Sequence, residues 1–202
     1  MIIKSTLGEA DVAEVPITLH PDGRTAHAPH LRTFRDGWRT LRFFLLYSPR
    51  RLFLIPGLVL ILLGLIGYAV ALPSLHVAGV TFAAHTLLVG TLAILLGYQA
   101  GLFAIMTKQF AISEGLMPPD PRLQRLSKVV TLERALIVAT LAMVGGGILI
   151  LLAFNDWRQK HFGHLDYTST MRLVVPGVLL VALGFQTMLS AFFLSVLALK
   201  RR

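Results

Sequence analysis

The sequence predicts an all-α membrane protein whose four transmembrane helices form two hairpins. Hydrophobic residues make up 55% of the 202-residue chain, and its mean hydropathy is +0.71. Soluble domains are rarely that apolar. A span takes roughly 20 apolar residues. Four segments are long enough, and none has an acidic residue in its interior: about 52–73, 84–108, 132–154 and 173–199.

The residues before the first span differ from a membrane segment. The stretch "DVAEVPITLH" at 11–20 alternates apolar and polar residues, which is typical of a short strand. The following "HPDGR" is typical of a turn. A sheet needs several strands to be stable. We therefore expect a strand remnant over 12–19 that is loosely ordered by itself.

The stretch 32–51, "RTFRDGWRTLRFFLLYSPRR", predicts an amphipathic juxtamembrane helix. At 3.6 residues per turn an apolar stripe and an arginine stripe lie side by side. The apolar stripe consists of Phe34, Trp38, Leu41 and Leu45. The arginine stripe consists of Arg32, Arg35, Arg39 and Arg42. This pattern is typical of a helix in the headgroup layer, and Pro49 ends it. Two interpretations stay open: the arginines only set topology, or they bind a phosphate.

Lysine and arginine are distributed unevenly among the loops, and this distribution predicts the orientation. They concentrate before the first span, between the second and third spans and at the C-terminus, whereas the first hairpin loop, 73–85, has none. Both termini are therefore expected in the cytoplasm and the protein in the cytoplasmic (inner) membrane. The net charge of +9 favours anionic lipid headgroups over nucleic acid, for which no motif is present.

The loop "GLMPPDPRLQRLSK" predicts a second, short surface helix. Asp120 suits the N-cap and Pro121 the first helical position. Basic residues follow at helical spacing: Arg122, Arg125 and Lys128. Lys108 at the end of the second span and Glu133 at the start of the third suit the helix dipole.

The second and fourth spans share a motif, "LGYQAGLF" and "LGFQTMLSAFF", in which Gln99 corresponds to Gln186. This indicates a weak repeat of two parallel hairpins. We interpret the two glutamines as interhelical hydrogen-bond partners, with a transport site as the alternative. Gly97 and Gly101 form a small-xxx-small packing face, and Gly145–Gly147 is a further candidate.

Residues that carry chemistry are scarce. No P-loop, Rossmann fingerprint or nucleophile elbow occurs. The absence of cysteine excludes disulfides, thiolate metal sites and cysteine nucleophiles. Neither Glu9-Ala10-Asp11 nor the spacing of the seven histidines matches a standard metal site. The expectation is no catalytic residue, metal ligand or cofactor site in this chain.

Three stretches resemble the C-terminal part of bacterial family-2 glycosyltransferases similar to dolichol-phosphate mannose or glucose synthases. They are "EVPITLHPDGR…PHLRTFRDGWRTLRFFLLYSPRRLFLIPG", "FAISEGLMPPDPRLQRL…TLERAL" and "VVPGVLLVALGFQTMLSAFFLSVLAL". The resemblance covers the whole chain, 1–202. The arginine-rich stretch and the "PPDPRL" loop are its most specific parts.

The resemblance implies that 1–31 is the end of a catalytic domain, 32–51 a juxtamembrane helix and 52–202 the membrane domain. Family members move a sugar from a nucleotide donor, held with Mg or Mn at an Asp-x-Asp motif, to a polyisoprenyl phosphate. That motif and the catalytic acid are missing here. We therefore expect a truncated membrane anchor that is not catalytic alone and that works with a missing or separate catalytic domain.

The resemblance also implies phosphate-binding residues. Basic side chains after the last catalytic strand and on the juxtamembrane helix approach the donor diphosphate or the lipid phosphate in the family. The matching residues are Arg24, His30, Arg32, Arg35, Arg39 and Arg42. An arginine fork suits a phosphate geometrically, and Arg24 and Arg32 are the first choices.

A second hypothesis is a non-enzymatic membrane module. Four short spans and a basic cytoplasmic face also fit a protein that binds or helps to flip a phosphorylated lipid carrier, or that scaffolds a partner enzyme. Polyprenyl phosphate and a second copy of the chain are the further partners considered.

Overall fold

The computed structural model describes residues 13, 15–18, 33–47, 50–73, 76–77, 80–81, 84–164 and 166–198. Six α-helices, one π-helical turn and two short strands occur in this part of the chain. They are α1 (Thr33–Tyr47), the π-helical turn (Arg50–Leu54), α2 (Ile55–Ala71), β1 (His76–Val77), β2 (Val80–Thr81), α3 (Ala84–Ser113), α4 (Pro121–Val129), α5 (Leu132–Gln159) and α6 (Tyr167–Ala198).

Four helices of the described chain are long and apolar enough to cross a membrane, judged by length and composition. They are Arg51–Ala71, which includes most of the π-helical turn, Ala84–Ser113, Leu132–Gln159 and Tyr167–Ala198. The most apolar window of each has a mean hydropathy between 1.9 and 2.6. The predicted fold class, an all-α protein with four membrane-spanning helices, is confirmed.

The helix ends differ from the predicted span ends. α3 continues to Ser113, α5 ends at Gln159, and α6 begins at Tyr167, so Arg172 lies inside a helix. Hydropathy marks where apolar residues end, whereas a helix ends where its backbone groups find other partners. The carboxylate of Asp166, for example, accepts a hydrogen bond from the amide of Ser169 at 3.2 Å and so starts α6.

The predicted N-terminal strand is not formed at the described residues. Ala13 and residues 15–18 have no regular secondary structure and are exposed. No described strand lies beside them to supply hydrogen bonds, and a strand without a partner is not stable. A small ladder occurs instead in the first hairpin loop, where β1 and β2 pair antiparallel with His76 opposite Thr81.

Glycines set the close approach of α2 and α3. A Cβ atom added to Gly97 would lie 2.4 Å from the carbonyl oxygen of Gly57, and one added to Gly64 would lie 2.6 Å from that of Gly90. Helix association in membranes depends on close packing of small residues because lipid is as apolar as the side chains. The first hairpin is therefore held by two backbone-to-backbone contacts.

The second hairpin, formed by α5 and α6, packs in the same way. A Cβ on Gly146 would lie 2.5 Å from the carbonyl oxygen of Gly177, and one on Gly184 would lie 2.6 Å from that of Ala139. Ala139 is 1% exposed. The close-contact positions of the second hairpin are thus occupied by one alanine and three glycines, whereas those of the first hairpin are occupied by four glycines.

Both hairpins use one packing register. On each helix the two close-contact positions are seven residues apart: 57 and 64, 90 and 97, 139 and 146, 177 and 184. Corresponding positions are shifted by 82 residues in the first helices (57 to 139) and by 87 in the second helices (97 to 184). The shift from Gln99 to Gln186 is also 87. The repeat inferred from the two glutamines therefore extends to the glycine contacts.

The second helices of the two hairpins bring the hairpins together. α3 packs against α6, while α2 packs mainly on α3 and α5 on α6. The hydroxyl groups of Tyr98 and Thr187 are hydrogen-bonded at 2.6 Å. Ala71, Leu87 and Val175 form a buried cluster of α2, α3 and α6. α3 and α6 thus form the centre of the bundle.

Candidate functional site: a basic end and an intramembrane groove

The helix α1 lies within the predicted juxtamembrane stretch. The aromatic side chains of Phe34 and Trp38 are exposed, Phe34 at 90%, and Arg35 and Arg39 are exposed beside them. Residues four apart share a helix face, so these two arginines point to the same side. Whether the helix lies in the headgroup layer stays a prediction.

The predicted phosphate-binding residues are only partly within the described chain. Arg24, His30 and Arg32 lie outside the described residues. The side chain of Arg42 is also outside them, although its backbone is part of α1. Arg35 and Arg39 are therefore the two members of the predicted set whose position the structure gives.

A π-helical turn, Arg50–Leu54, connects the basic stretch to the membrane helix α2. The ring of Phe53 packs on that of Phe103 in α3, with centroids 4.8 Å apart and planes at 79°. Such edge-to-face pairs are favourable. This end of α2 is thereby fixed to α3, while Arg51 remains exposed.

The predicted surface helix between the hairpins is confirmed as α4. Asp120 is its N-cap and accepts a hydrogen bond from the amide of Arg122 at 2.7 Å, and Pro121 is its first residue. Capping by a carboxylate satisfies amides that have no partner within the helix. The basic residues of α4 are all exposed: Arg122, Arg125 and Lys128.

Lys108 has a different role from the one predicted. It does not end α3, which continues for five more residues, but its ammonium group donates to a carboxylate oxygen of Asp120. That ion pair, together with the amide of Arg122, holds the pKa of Asp120 below its ordinary value of 3.8. The ion pair therefore ties the N-terminus of α4 to the side of α3.

The basic groups meet at one end of the bundle. α2 begins there, after Arg50 and Arg51, and α3 ends there, before α4. α5 also begins at this end, where the hydroxyl of Thr131 caps it by accepting from the amide of Arg134 at 3.4 Å. We call this end, with the basic residues of α4 and Arg51, the basic end.

Aromatic side chains lie at the opposite end, where α5 ends. The rings of Trp157 and Phe162 meet edge to face with centroids 4.9 Å apart. The ring centroid of Phe154 lies 6.1 Å from that of Trp157. Phe162 has a φ of 60°, which turns the chain back. The prediction missed this cluster, although aromatic residues at the end of an apolar run are a known interfacial signal.

A groove of about 230 Å³ lies between α3 and α6. Its lining combines three polar and three apolar side chains: Gln99, Gln186, Ser190, Met106, Leu189 and Phe193. The structure thus brings Gln99 and Gln186 to one site. The side-chain oxygen of Gln186 is buried and has no hydrogen-bond partner among the described residues, whereas Gln99 is exposed.

The two predicted packing glycines differ. Gly97 is buried against Gly57, whereas a Cβ atom on Gly101 would meet nothing within 4 Å. Likewise Gly146 contacts Gly177, while Gly145 and Gly147 face open space. The helix contacts thus follow the seven-residue spacing rather than the four-residue spacing of the motif.

Metal-binding geometry is not found in the described part of the chain. No group of three or more histidine, aspartate or glutamate side chains there could hold a metal ion. His85, His161 and His164 are each exposed. The histidines at 20, 27 and 30 lie outside the described residues.

Comparison with known proteins shows which membrane regions this chain is similar to. Residues 105–198, from within α3 to the end of α6, match the model of the glycosyltransferase family 2 C-terminal transmembrane region. The low-salt glycan biosynthesis hexosyltransferase Agl6 of Haloferax volcanii is 31% identical to the chain over 199 residues. Both comparisons support a glycosyltransferase family 2 membrane region.

The alignment with the Haloferax protein covers very different fractions of the two proteins. The alignment takes in 98% of this chain but 46% of the Haloferax protein. The chain thus spans less than half the length of the curated relative it matches. No solved structure matches the chain. The resemblance noted from the sequence is confirmed at the level of a glycosyltransferase membrane region.

Proposed function

We propose that the chain is the membrane anchor of a glycosyltransferase that moves a sugar from a nucleotide donor to a polyisoprenyl phosphate. The observation that carries this proposal is the match of residues 105–198 to the family's transmembrane region, which includes both α4 and Lys108. The basic end of such an anchor, and the exposed Arg35 and Arg39 of α1, are suitable places for a lipid phosphate, because arginine and lysine donate hydrogen bonds to phosphate oxygens.

The proposal includes the place of the protein in the cell. Basic residues favour the cytoplasmic side, so we place the basic end and both termini in the cytoplasm and the protein in the cytoplasmic membrane. α1 then lies in the cytoplasmic headgroup layer, where the exposed Phe34 and Trp38 would enter the lipid beside Arg35 and Arg39.

The chain by itself would not carry out the transfer. The described residues offer no acidic cluster for a metal. We therefore assign the Mg or Mn ion that the family uses with its nucleotide sugar to a catalytic domain outside this chain. The test is a transfer assay with the purified chain in vesicles containing polyprenyl phosphate and a nucleotide hexose. We expect transfer no faster than in protein-free vesicles, and measurable turnover would contradict this assignment.

Phosphate recognition has its own test, which does not need catalysis. The thermal midpoint of the purified chain in detergent is measured with polyprenyl phosphate and with the uncharged polyprenol. We expect the phosphate to raise the midpoint more than the alcohol does. Replacing Arg35 and Arg39 together by glutamine removes two exposed charges, each worth at most about 1 kcal/mol to an ion pair, so the affinity for polyprenyl phosphate should fall by up to roughly 30-fold.

The matched control is Arg158→Gln, an exposed arginine near the end of α5, on the opposite side from the basic end. It removes charge without touching α1, so the affinity for polyprenyl phosphate should stay unchanged. Equal stabilisation by polyprenol and polyprenyl phosphate would refute phosphate recognition. An equal loss from Arg158→Gln would show that net charge alone accounts for binding.

A further inference from the structure

The groove between α3 and α6 runs from the membrane interior toward the basic end. Gly97 packs on Gly57, six residues along the first membrane helix from the charged Arg51, and charged side chains near the ends of such helices stay close to the headgroups. Gln99 is two residues nearer the basic end than Gly97, so it lies about 6 Å inside the level of Arg51. Met106 lies about 10 Å further along α3. The groove therefore begins in the hydrocarbon and opens at the level of the headgroups.

Both walls of the groove run in the same direction. Met106 and Phe193 are 87 residues apart, as are Gln99 and Gln186, so the glutamines mark the inner end on both helices, and the methionine and the phenylalanine mark the mouth. Leu189 and Phe193 are 55% and 50% exposed, so the groove is open sideways to lipid. Its volume of about 230 Å³ exceeds the roughly 150 Å³ of an apolar cavity that binds benzene. It is thus large enough for a short stretch of hydrocarbon chain.

The two glutamines are not equally available to a ligand. The side-chain oxygen of Gln186 has essentially no accessible surface, so nothing bound in the groove contacts that atom. Gln99 is exposed on the same groove, and its amide group has two hydrogens to donate. A bound chain therefore meets mainly apolar walls and, at the inner end, the amide of Gln99.

The basic helix α4 passes the end of the bundle at which the groove opens. Among the described residues the extensive helix contacts join α2 to α3, α3 to α6 and α6 to α5, so α6 lies between α3 and α5. Neighbouring helix axes are about 8–10 Å apart, and the nine residues of α4 are about 13.5 Å long. Since α4 connects α3 to α5, it has to cross the end of α6. Its exposed basic residues, Arg122, Arg125 and Lys128, thus lie at the same end of the α3–α6 pair as the groove mouth.

We propose that the groove receives the first part of the isoprenoid chain of a polyprenyl phosphate whose phosphate binds the basic residues of α4. This inference rests on the proposed function and adds where the lipid lies. A ligand of this site needs an anionic head at the level of the headgroups and an apolar chain that continues into the membrane. Arginine and lysine donate charge-assisted hydrogen bonds to phosphate oxygens, and the groove takes the chain that follows.

An isoprenoid chain fits these walls better than a saturated acyl chain does. Each isoprene unit has a methyl branch and a double bond, and π electrons accept weak hydrogen bonds from N–H groups. The amide of Gln99 can therefore donate to an isoprenoid chain, whereas a saturated acyl chain has no acceptor at that depth. The flexible side chain of Met106 adapts to an irregular, branched shape. The groove is expected to favour isoprenoid over acyl chains.

Photo-cross-linking tests where the chain lies. The full chain is reconstituted in phosphatidylcholine nanodiscs with a polyprenyl phosphate that carries a diazirine in the isoprene units next to the phosphate. After irradiation the labelled peptides are identified by mass spectrometry. We expect at least fivefold more label on 99–106 and 186–193 than on 137–141 of α5. That stretch is a matched control, because Ala139 packs on Gly184 at a similar depth and its side chains at 137, 138 and 141 are exposed to lipid.

Substitutions test the groove and the head site separately. Leu189→Trp fills the groove and should lower the groove label at least fivefold, whereas Leu141→Trp, at a leucine with 66% exposure outside the groove, should leave it unchanged. Replacing Arg122 and Arg125 together by glutamine should lower the label to that obtained with the same diazirine on uncharged polyprenol. Arg158→Gln should not lower it. Because Leu189 is itself exposed, Leu189→Trp should keep the thermal midpoint of the ligand-free chain.

Three results would count against the proposal. Label spread evenly over the groove stretches and 137–141 in the unmodified chain would overturn it, whatever the variants do. Equal groove label from a saturated alkyl phosphate would also overturn it, because the groove would then take any lipid chain. Equal label from polyprenol and polyprenyl phosphate, unchanged by the substitutions at Arg122 and Arg125, would remove the phosphate from α4. That last result would contradict the proposed phosphate recognition, while loss of label with Leu189→Trp would still place the chain in the groove.

Discussion

Asp120 is the residue whose contacts make the clearest prediction. It caps α4 and accepts a hydrogen bond from Lys108 of α3. Asp120→Ala should destabilise the first turn of α4 by about 1 kcal/mol, the usual value of a carboxylate cap. Amide hydrogen exchange in that turn should then be roughly fivefold faster. Asp156→Ala, which breaks the exposed pair with Lys160, is the control and should have little effect.

The same carboxylate predicts a dependence on pH. The pKa of Asp120 is lowered by the Lys108 hydrogen bond and the amide of Arg122. A group with a lowered pKa stabilises the fold above its ordinary pKa, and this contribution is lost as the pH falls through the folded value. The difference in α4 exchange between wild type and Asp120→Asn should therefore be full at about pH 6 and shrink only as the pH falls below 3.8, through the lowered pKa of the folded state. A constant difference would argue against the ion pair.

At residue level, the sequence predicted interactions between neighbouring residues but not those between residues on different helices. The Asp-Pro pair predicted the cap of α4 because a cap depends only on neighbouring residues. The partner of Lys108 could not be predicted, because it depends on the chain reversal after α3. Gly115 makes that reversal possible with a φ of +67°, a conformation that glycine adopts readily.

The helices pack through particular glycines, and two of them give a matched pair. Gly97→Ala would push a methyl group against the carbonyl oxygen of Gly57, and overpacking of this kind costs about 1–3 kcal/mol. Gly101→Ala meets open space and should gain up to about 1 kcal/mol of helix propensity. Thermal midpoints in detergent should therefore shift in opposite directions. Shifts of the same sign would contradict the assigned register.

At element level, hydropathy predicted the existence of the four spans but not their ends. α3, α5 and α6 each extend about five residues beyond the predicted span at one end, because caps rather than apolarity end a helix. The small-residue motif at 97–101 predicted two packing glycines. Gly97 does contact the neighbouring helix, whereas Gly101 faces open space. Which face of a helix meets its neighbour is set by the tertiary packing, so the four-residue motif alone could not separate them.

The whole molecule has two unlike ends. The basic end carries Arg51 and α4, and the other end carries the cluster of Trp157 and Phe162. Charge distribution among the loops predicted the basic end, since it is a property of composition rather than of packing. The groove could not be predicted in the same way. Gln99 and Gln186 were visible as equivalents, but their meeting at one surface depends on how α3 and α6 pack.

The orientation of the bundle in the membrane is the last prediction. If basic loops stay in the cytoplasm, the exposed Arg125 on α4 faces inward and the exposed His164, between α5 and α6, faces outward. Single-cysteine variants Arg125→Cys and His164→Cys give clean reports because the chain has no cysteine. In intact cells a membrane-impermeant maleimide should label position 164 and leave position 125 unlabelled until the cells are permeabilised. The reverse pattern would put the basic end outside, where a cytoplasmic nucleotide sugar could not reach it, and the proposed role at the lipid phosphate would fail with it.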